Sequence, residues 1–405
     1  MPLRWWIGGL LFASTTINYI DRQALNVLAP YLKTEYHWTN SDFASIVIAF
    51  RLAYALMQWI GGRAVDRLGT RRGLSLAVAW YSVAAMATSL AGGLWSFRLF
   101  RFLLGVGEAA NWPAATKAVA EWFPPKERGW AVALFDSGSA IGGAVAPSLV
   151  VWLYHRFGTW RPSFVITGLL GFFWLAAWRA VVPAAPPQRL HEAAGSPTAS
   201  WGELLRHPQT WGVIALRALL DPYWFLIADW FALFLVSKGF RIEDTLFGFW
   251  LPFLSADFGN FFGGGFSSWL IGRGWSILAA RRAVYVVCGP MMLLLIPAAF
   301  TSHLVPLLAY FAVATFGYAA CSTMHLVLPS DLFASGSVGT VSGMAGMVTG
   351  MVTIASTYAV GAVTDRYSFA PVLLAASAAP LLAMAVAFLV VRNTRESGQG
   401  VLLRI

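Results

Sequence analysis

Long apolar segments recur from one end of this 405-residue chain to the other, and they restrict the folds that it can adopt. A segment of roughly 20 apolar residues crosses the ~30 Å hydrocarbon core of a bilayer as an α-helix. Strands of membrane barrels are about 10 residues long and alternate strictly, which these segments do not. Since 58% of the residues are hydrophobic and 11% are charged, we expect an integral membrane protein.

Twelve such segments are predicted to be membrane-spanning helices. They cover residues 7–30, 42–63, 73–93, 97–120, 129–153, 161–182, 211–236, 245–269, 282–300, 304–328, 338–362 and 370–391. A polar, proline-containing stretch divides six segments from six. This predicts a six-helix bundle at 1–183, a cytoplasmic linker at 184–210, and a second six-helix bundle with a short cytoplasmic tail at 211–405. The expected fold class is an all-α membrane protein of two six-helix bundles.

The formal net charge of +10 does not indicate nucleic-acid binding, because the basic residues concentrate in alternate loops and near both ends. That distribution follows the positive-inside rule and predicts that both termini lie in the cytoplasm. Among the loop residues that carry this signal are Arg67, Arg71, Arg72, Lys126, Arg128, Arg273, Arg281 and Arg282.

Two acidic residues lie inside predicted spans, each accompanied by an arginine. Asp21 and Arg22 are in the first span, and Arg101 and Glu108 are on one face of the fourth, two helical turns apart. An ionisable group in hydrocarbon costs at least a few kcal/mol, so such residues face a bundle interior or a water-filled cavity. Asp21 and Glu108 are therefore candidate proton-binding residues. Structural ion pairs, Asp21 with Arg101 or Glu108 with Arg22, are the alternative.

The arginines in these spans are candidates for binding an organic acid, because a guanidinium matches a carboxylate with two hydrogen bonds. Arg22 is the first candidate, and Arg101 suits either the substrate or an acidic side chain. Arg51 is a further candidate, although its long side chain could instead extend to the membrane interface. Tyr19 and Tyr54 offer hydroxyls beside these charges, with packing as the alternative for Tyr54.

A motif rich in glycine and arginine follows the second span. It consists of Gly62, Asp66, Arg67, Gly69, Arg71 and Arg72. Its glycines permit a tight turn, and its aspartate can accept hydrogen bonds from a helix terminus in one conformation and release them in another. The stretch resembles the loop signature of the major facilitator superfamily, which implies a gating role without substrate contact. A basic stop to a membrane helix is the alternative. At Gly265–Gly274, Trp269 stands where an aspartate would be needed, so a second copy is expected to be degenerate.

Further motifs resemble the hexuronate transporters of the anion:cation symporter family. They are Asn18–Leu25, Gly107–Lys117, Glu121–Pro124, Leu251–Asp257 and Ser330–Phe333. The resemblance implies a bacterial inner-membrane, proton-coupled symporter for a hexuronate or related sugar acid, working by alternating access, with Asp21 and Glu108 binding protons. The wider set of expected substrate contacts is Asn111, Ser139, Trp224, Tyr318, Ser322 and Thr323.

The chain departs from that family at several positions. Asp136 stands where an asparagine is expected, Asp229 where an aromatic or aliphatic residue is expected, and Tyr318-Ala319 where a His-Gln pair is expected. The particular sugar acid therefore stays open. His325 could titrate near neutral pH, but a single membrane histidine is more often a hydrogen-bonded structural group.

Smaller residues and prolines predict local helix geometry. Gly138 and Gly142 would allow close helix contact, and glycines 339, 343, 346 and 350 are predicted to form a packing face. Pro222 is expected to break the helix of the seventh span.

Signatures of enzymes and cofactors do not occur. Gly263–Gly265 matches neither a P-loop nor a dinucleotide fingerprint, and Cys288 and Cys321 fall in predicted spans, where we expect buried apolar residues. We expect no enzyme activity, cofactor, metal or nucleic-acid partner, and a monomer whose partners are an anionic substrate, protons and the lipid bilayer. An organic-anion exchanger or exporter without net proton coupling is the alternative within transport. A non-transporting receptor or scaffold is the alternative of another class, although buried charges argue against it.

Overall fold

The computed structural model describes residues 2–184, 199–240 and 246–391. Most of the predicted linker and most of the C-terminal tail lie outside the described residues. In the described parts, every predicted span is helical, and nine helical segments have the length and apolar character needed to cross a membrane.

The first six predicted spans form seven helices. They are α1 (Leu3–Tyr36), α2 (Asn40–Leu68), α3 (Thr70–Ala87), α4 (Leu94–Glu108), α5 (Asn111–Trp122), α6 (Pro125–Phe157) and α7 (Arg161–Val181). A 3₁₀ turn, Thr88–Leu90, extends α3. The fourth span is divided in two directly after Glu108, a break that the sequence reasoning did not predict.

The later spans follow a short helix, α8. The helices are α8 (Trp201–Arg206), α9 (Pro208–Ser237), α10 (Leu246–Gly272), α11 (Ile277–Cys288), α12 (Leu295–Phe300), α13 (Leu304–Leu332), α14 (Ser335–Arg366) and α15 (Phe369–Leu389). A 3₁₀ segment, Gly289–Leu294, joins α11 to α12.

The predicted break at Pro222 is wrong, because α9 continues as a helix past this residue to Ser237. Proline removes one backbone hydrogen bond, but the remaining bonds of a long helix keep the turn in place. Prolines also lie inside other long helices of the chain, including α1, α6, α10 and α13.

The chain forms two compact units. Unit 1 comprises residues 1–122, 134–198 and 335–347, and unit 2 comprises 123–133, 199–334 and 348–405. The first residues of α14 therefore group with the first half of the chain, and the first residues of α6 group with the second. The bundle boundaries at 183 and 211 stay predictions.

Glycines bring α6 close to α1 in unit 1. A Cβ atom on Gly138 would lie 2.5 Å from the Phe12 carbonyl oxygen, and one on Gly142 would lie 2.5 Å from the Thr16 carbonyl oxygen. At distances this short, a residue larger than glycine would fit only if the two helices moved apart. The predicted close contact at these two glycines is confirmed.

A second glycine contact in unit 1 joins α14 to α2. A Cβ atom on Gly339 would lie 2.8 Å from the Gly62 carbonyl oxygen, and one on Gly343 would collide with the backbone of Gln58. The predicted packing face of α14 is confirmed at these positions. In unit 2, the thiols of Cys288 and Cys321 are buried and form no disulfide, as predicted.

Candidate functional site

The Arg22–Glu108 ion pair is the centre of the polar site in unit 1. Arg22 of α1 donates from Nε to Oε2 of Glu108, the last residue of α4, over 2.6 Å. Glu108 is fully buried, and surroundings of low dielectric strengthen such a pair. Within the part of the chain that the structure describes, Arg22 Nη2 and Glu108 Oε1 have no hydrogen-bond partner, and the Asn18 amide lies beside Glu108. Both members of the pair therefore keep capacity for another ligand.

Three aromatic rings surround the Arg22 guanidinium. Its Cζ lies 4.3 Å from the ring centre of Tyr54, 5.0 Å from that of Tyr19 and 5.2 Å from that of Phe50. Cation–π contacts of this kind contribute about 2 kcal/mol when they are desolvated. The Tyr54 hydroxyl has no hydrogen-bond partner. The rings hold the cation in place while one hydroxyl stays available.

Asp21 and Arg101 lie beside this pair, but their side chains do not form an ion pair with each other. Arg101 donates from Nη1 to the backbone oxygen of Asp21 over 3.1 Å. Asp21 is 1% exposed, and neither carboxylate oxygen has a hydrogen-bond partner, although Thr167 and Arg101 are its polar neighbours. A buried carboxyl without a partner is costly as an anion.

The other predicted residues of unit 1 make different contacts. Asn111 accepts a hydrogen bond from Ser14 over 3.2 Å, and Ser139 donates to the Asp136 carbonyl oxygen of its own helix over 2.7 Å. Arg51 is partly buried on α2. The structure thus brings Tyr19, Tyr54, Arg22 and Glu108 together, whereas Asn111 and Ser139 bond elsewhere.

In unit 2, three aromatic residues form a continuous stack. Tyr318 stacks on Trp224 with ring centres 5.8 Å apart and on Tyr223 with ring centres 5.8 Å apart. Trp224 also meets the edge of Phe253 at 5.3 Å. The predicted pair Trp224 and Tyr318 therefore presents one aromatic surface, and the sequence reasoning missed Tyr223 as its third member.

Ser322 and Thr323 of α13, both predicted to contact the substrate, differ in the hydrogen bonds that their hydroxyls make. Thr323 is fully buried and bonds to both the backbone and side-chain oxygens of Asn260, at 3.3 and 3.2 Å. Its hydroxyl thereby holds α13 against α10. Ser322 Oγ lies 3.5 Å from His325 Nε2.

A partly buried acid of α9 links two basic side chains in unit 2. Asp221 Oδ2 accepts from Arg217 Nε over 3.0 Å, and Asp221 Oδ1 lies 3.1 Å from His325 Nε2. The contact with His325 was missed, because the sequence offers no periodic signal between residues so far apart.

Asp66, in the motif that follows the second span, contacts the start of α14 within unit 1. It accepts hydrogen bonds from the Gly339 amide at 3.0 Å, the Thr340 amide at 2.6 Å and the Thr340 hydroxyl at 2.6 Å. Lys117 Nζ lies 3.0 Å from Asp66 and also donates to the Ser335 carbonyl oxygen. The expectation that Asp66 accepts hydrogen bonds from a helix terminus is confirmed.

The arginines of this motif and Gly69 are more exposed than Asp66. Arg71 donates to the Arg179 carbonyl oxygen at 2.8 Å, and Arg67 and Arg72 are exposed. Gly69 has φ +77°, a left-handed conformation that favours glycine.

A buried acid–base cluster joins helices in unit 2. Asp331, at the end of α13, pairs with Arg128 at 3.0 Å and with Arg281 at 2.9 Å, and all three are buried. Trp269, in the stretch expected to be degenerate, lies 4.1 Å from the Arg273 guanidinium and is half exposed. Unit 2 therefore holds its helix ends together through Asp331 and not through an aspartate at 269.

Long apolar helices in two compact units, with buried acids and arginines, are the features of a secondary transporter of the membrane. The chain belongs to the Major Facilitator Superfamily, whose family model matches residues 11–357. It is a multi-pass membrane transporter and not an enzyme.

Two relatives have sequences similar to most of this chain. The hexuronate transporter of Escherichia coli (strain K12) is 31% identical over 417 residues, covering 96% of this chain and 94% of that protein. The galacturonate transporter of Dickeya chrysanthemi is 33% identical over 279 residues, covering 65% of this chain and 81% of that protein.

Solved structures share the fold at much lower sequence identity. The proton:xylose symporter XylE matches with a TM-score of 0.74 and 13% identity, covering 94% of each chain. The E. coli fucose:proton symporter FucP matches with a TM-score of 0.73 and 15% identity, covering 96% of this chain and 100% of that one. At these identities the likeness concerns the fold alone.

Proposed function

We propose that this protein is a proton-coupled symporter of a small sugar acid, a hexuronate such as galacturonate or glucuronate, that works by alternating access. The names of its relatives support the substrate class. We further propose a monomer in a bacterial inner membrane with both termini in the cytoplasm, as the charge distribution predicts.

The observation that carries the proposal is the Arg22–Glu108 pair with an unbonded Nη2. A substrate carboxylate and the Glu108 carboxylate are alternative ligands for the same guanidinium. A proton on Glu108 weakens its pair with Arg22 and makes the guanidinium available to the substrate. Proton binding and anion binding therefore favour each other at this site.

A charge count in unit 1 supports one proton for each monoanion. Asp21 and Glu108 contribute −2 and Arg22 and Arg101 contribute +2, so these four residues are together neutral when ionised. A bound carboxylate changes this sum to −1, and one proton restores it to zero. Since net charge in hydrocarbon is costly, we propose that these four residues, with or without substrate, are together neutral when the protein changes conformation. Asp21, which has no ion-pair partner, and Glu108 are the proposed proton carriers.

Recognition of the sugar is proposed for the hydroxyl and aromatic side chains. Tyr19 and Tyr54 lie beside Arg22, and the Tyr54 hydroxyl is unbonded. In unit 2, the stacked rings of Trp224 and Tyr318 offer an apolar face, with Ser322 as a hydroxyl on the same helix. The remaining proposed contacts are Arg51, Arg101, Asn111, Ser139 and Thr323.

A gating role is proposed for the motif Gly62, Asp66, Arg67, Gly69, Arg71 and Arg72. Asp66 carries this role through its bonds to Gly339 and Thr340, which a change of conformation would break together. These residues lie among helix ends and not beside Arg22, which fits a role without substrate contact.

The test is uptake into proteoliposomes that contain the purified protein. Galacturonate, glucuronate and related sugar acids are offered with an imposed inward proton gradient, and accumulation that collapses with the gradient supports symport. Uptake that requires only an internal counter-anion supports the exchanger instead. If no acid of the panel is transported or raises the thermal stability of the protein, a receptor or scaffold becomes the better account.

A further inference from the structure

Unit 2 contains a largely buried charged cluster that the proposed symport mechanism does not use. Asp221 of α9 lies between Arg217, one helical turn earlier, and His325 of α13, at 3.0 and 3.1 Å. His325 is 1% exposed. Because the ring is buried against an ion pair, few neighbouring groups can exchange protons with it. Its contacts therefore restrict the protonation states that the ring can adopt.

These contacts decide which ring nitrogen is available for a proton. Asp221 is paired with Arg217 and acts as an acceptor, so the neutral imidazole carries its hydrogen on Nε2 and donates it to Asp221. Nδ1 is buried and has no hydrogen-bond partner among the residues that the structure describes. It therefore carries an unused lone pair. A carboxylate behind the ring stabilises the imidazolium that forms when Nδ1 takes up a proton.

The other ionisable groups on the helices packed around His325 do not replace it. They are Tyr223 and Asp229 on α9, Asp257 on α10, Arg281, Arg282, Tyr285 and Cys288 on α11, and Tyr310, Tyr318, Cys321 and Asp331 on α13 itself. Arg281 and Asp331 pair with each other, and Tyr223 donates to the Met292 carbonyl oxygen. Residues 289–300, which also pack on α13, include no ionisable side chain. Histidine is the side chain whose ordinary titration falls between pH 5 and 8.

We propose that His325 is a second proton-binding site, in unit 2, and that its Nδ1 takes up a proton when the anionic substrate binds. Arg217 and Asp221 cancel, so the protonated cluster carries +1, which favours an anion in the loaded transporter. Ser322 Oγ lies 3.5 Å from Nε2, so the charge on the ring lies beside a proposed substrate contact. This inference rests on the proposed symport and adds one proton to its stoichiometry.

The first experiment observes the ring without any need for transport. The five other histidines, His37, His155, His191, His207 and His303, are replaced by glutamine, and the full-length protein with ¹⁵N-labelled His325 is studied by NMR in lipid. Between pH 8.5 and pH 5 we expect a neutral ring protonated at Nε2 to become protonated at both nitrogens. A ring that stays neutral over this range, or whose neutral form is protonated at Nδ1, overturns the proposal.

The second experiment counts protons by the reversal potential of sugar-acid transport. His325→Gln keeps an amide donor for Asp221 but cannot titrate, and His303→Gln, at the exposed start of α13, is the matched control. We expect one proton fewer per substrate in His325→Gln and an unchanged number in His303→Gln. Equal numbers in wild type and His325→Gln overturn the proposal. If His325→Gln does not fold, or if wild type transports no sugar acid, the NMR titration alone decides for or against His325.

Discussion

Arg22 Nε and Glu108 Oε2 lie 2.6 Å apart, in a pair that joins the middle of α1 to the last residue of α4. The α-helix is interrupted directly after Glu108, so this carboxylate sits at a helix end within a predicted span. A helix C-terminus disfavours an extra negative charge, which makes the arginine the main stabiliser of the ionised acid. Any group that competes for the guanidinium thereby changes the affinity of Glu108 for protons.

Replacing Glu108 by glutamine should separate exchange from accumulation. Glutamine keeps an oxygen for Arg22 but cannot carry a proton. A gradient of one pH unit supports about tenfold accumulation for each coupled proton, so accumulation should fall by about this factor in Glu108→Gln while exchange of labelled for unlabelled substrate continues. Glu35→Gln is the control, because Glu35 is half exposed and pairs with Arg161 and Trp160. Accumulation that is unchanged in Glu108→Gln would remove Glu108 from the coupling mechanism.

Replacing Arg22 by lysine should weaken substrate binding more than it slows turnover. Lysine keeps the charge but loses the planar donors and the stacking on Tyr54. Loss of a charge-assisted hydrogen bond of about 1.5–3 kcal/mol corresponds to a rise in apparent KM of roughly 10- to 100-fold. Concentration dependence of uptake gives this number.

The control for this substitution is Arg98→Lys, since Arg98 bonds to Ser45 and stacks on Trp95, outside the Arg22 cluster. It should leave the apparent KM unchanged. An Arg22→Lys protein with the wild-type KM contradicts the assignment of Arg22 to the substrate carboxylate.

The fold was predictable from the sequence because hydropathy is a local property that each segment carries by itself. The pair Arg22 and Glu108 was predictable as well, because charge in an apolar segment is conspicuous. Two kinds of feature were not predictable. Helix continuity at Pro222 depends on the rest of α9, and the contact between Asp221 and His325 depends on how α9 packs against α13. Both are properties of tertiary structure with no counterpart in the local pattern.

Replacing Asp66 by asparagine should destabilise unit 1. After the substitution, the acidic partner of Lys117 among the described residues is Glu121, at 3.6 Å. An amide group also replaces the carboxylate that accepts hydrogen bonds from the backbone of Gly339 and Thr340. Breaking a buried ion pair on one side costs about 3–5 kcal/mol. We expect a lower temperature of thermal unfolding, measured on the purified protein in detergent.

The control is Arg67→Gln, at an exposed position in the same motif, which should unfold at the wild-type temperature. Equal losses in both variants would mean that net charge, and not the Asp66 contacts, determines stability.

Replacing Gly142 by alanine should impair transport through the position of α1. A Cβ atom there would lie 2.5 Å from the Thr16 carbonyl oxygen and 2.8 Å from Tyr19 Cβ, so α1 must move away from α6. Tyr19 and Arg22 are one turn apart on α1, and displacement of about 1 Å at a binding site reduces rates by up to ~100-fold.

Gly143→Ala is a matched control, because a Cβ atom on Gly143 would have no described atom within 4 Å. Initial uptake rates at equal protein density should therefore fall in Gly142→Ala and stay at the wild-type value in Gly143→Ala. Similar rates in the two variants would show that the α1–α6 contact does not position the Arg22 site.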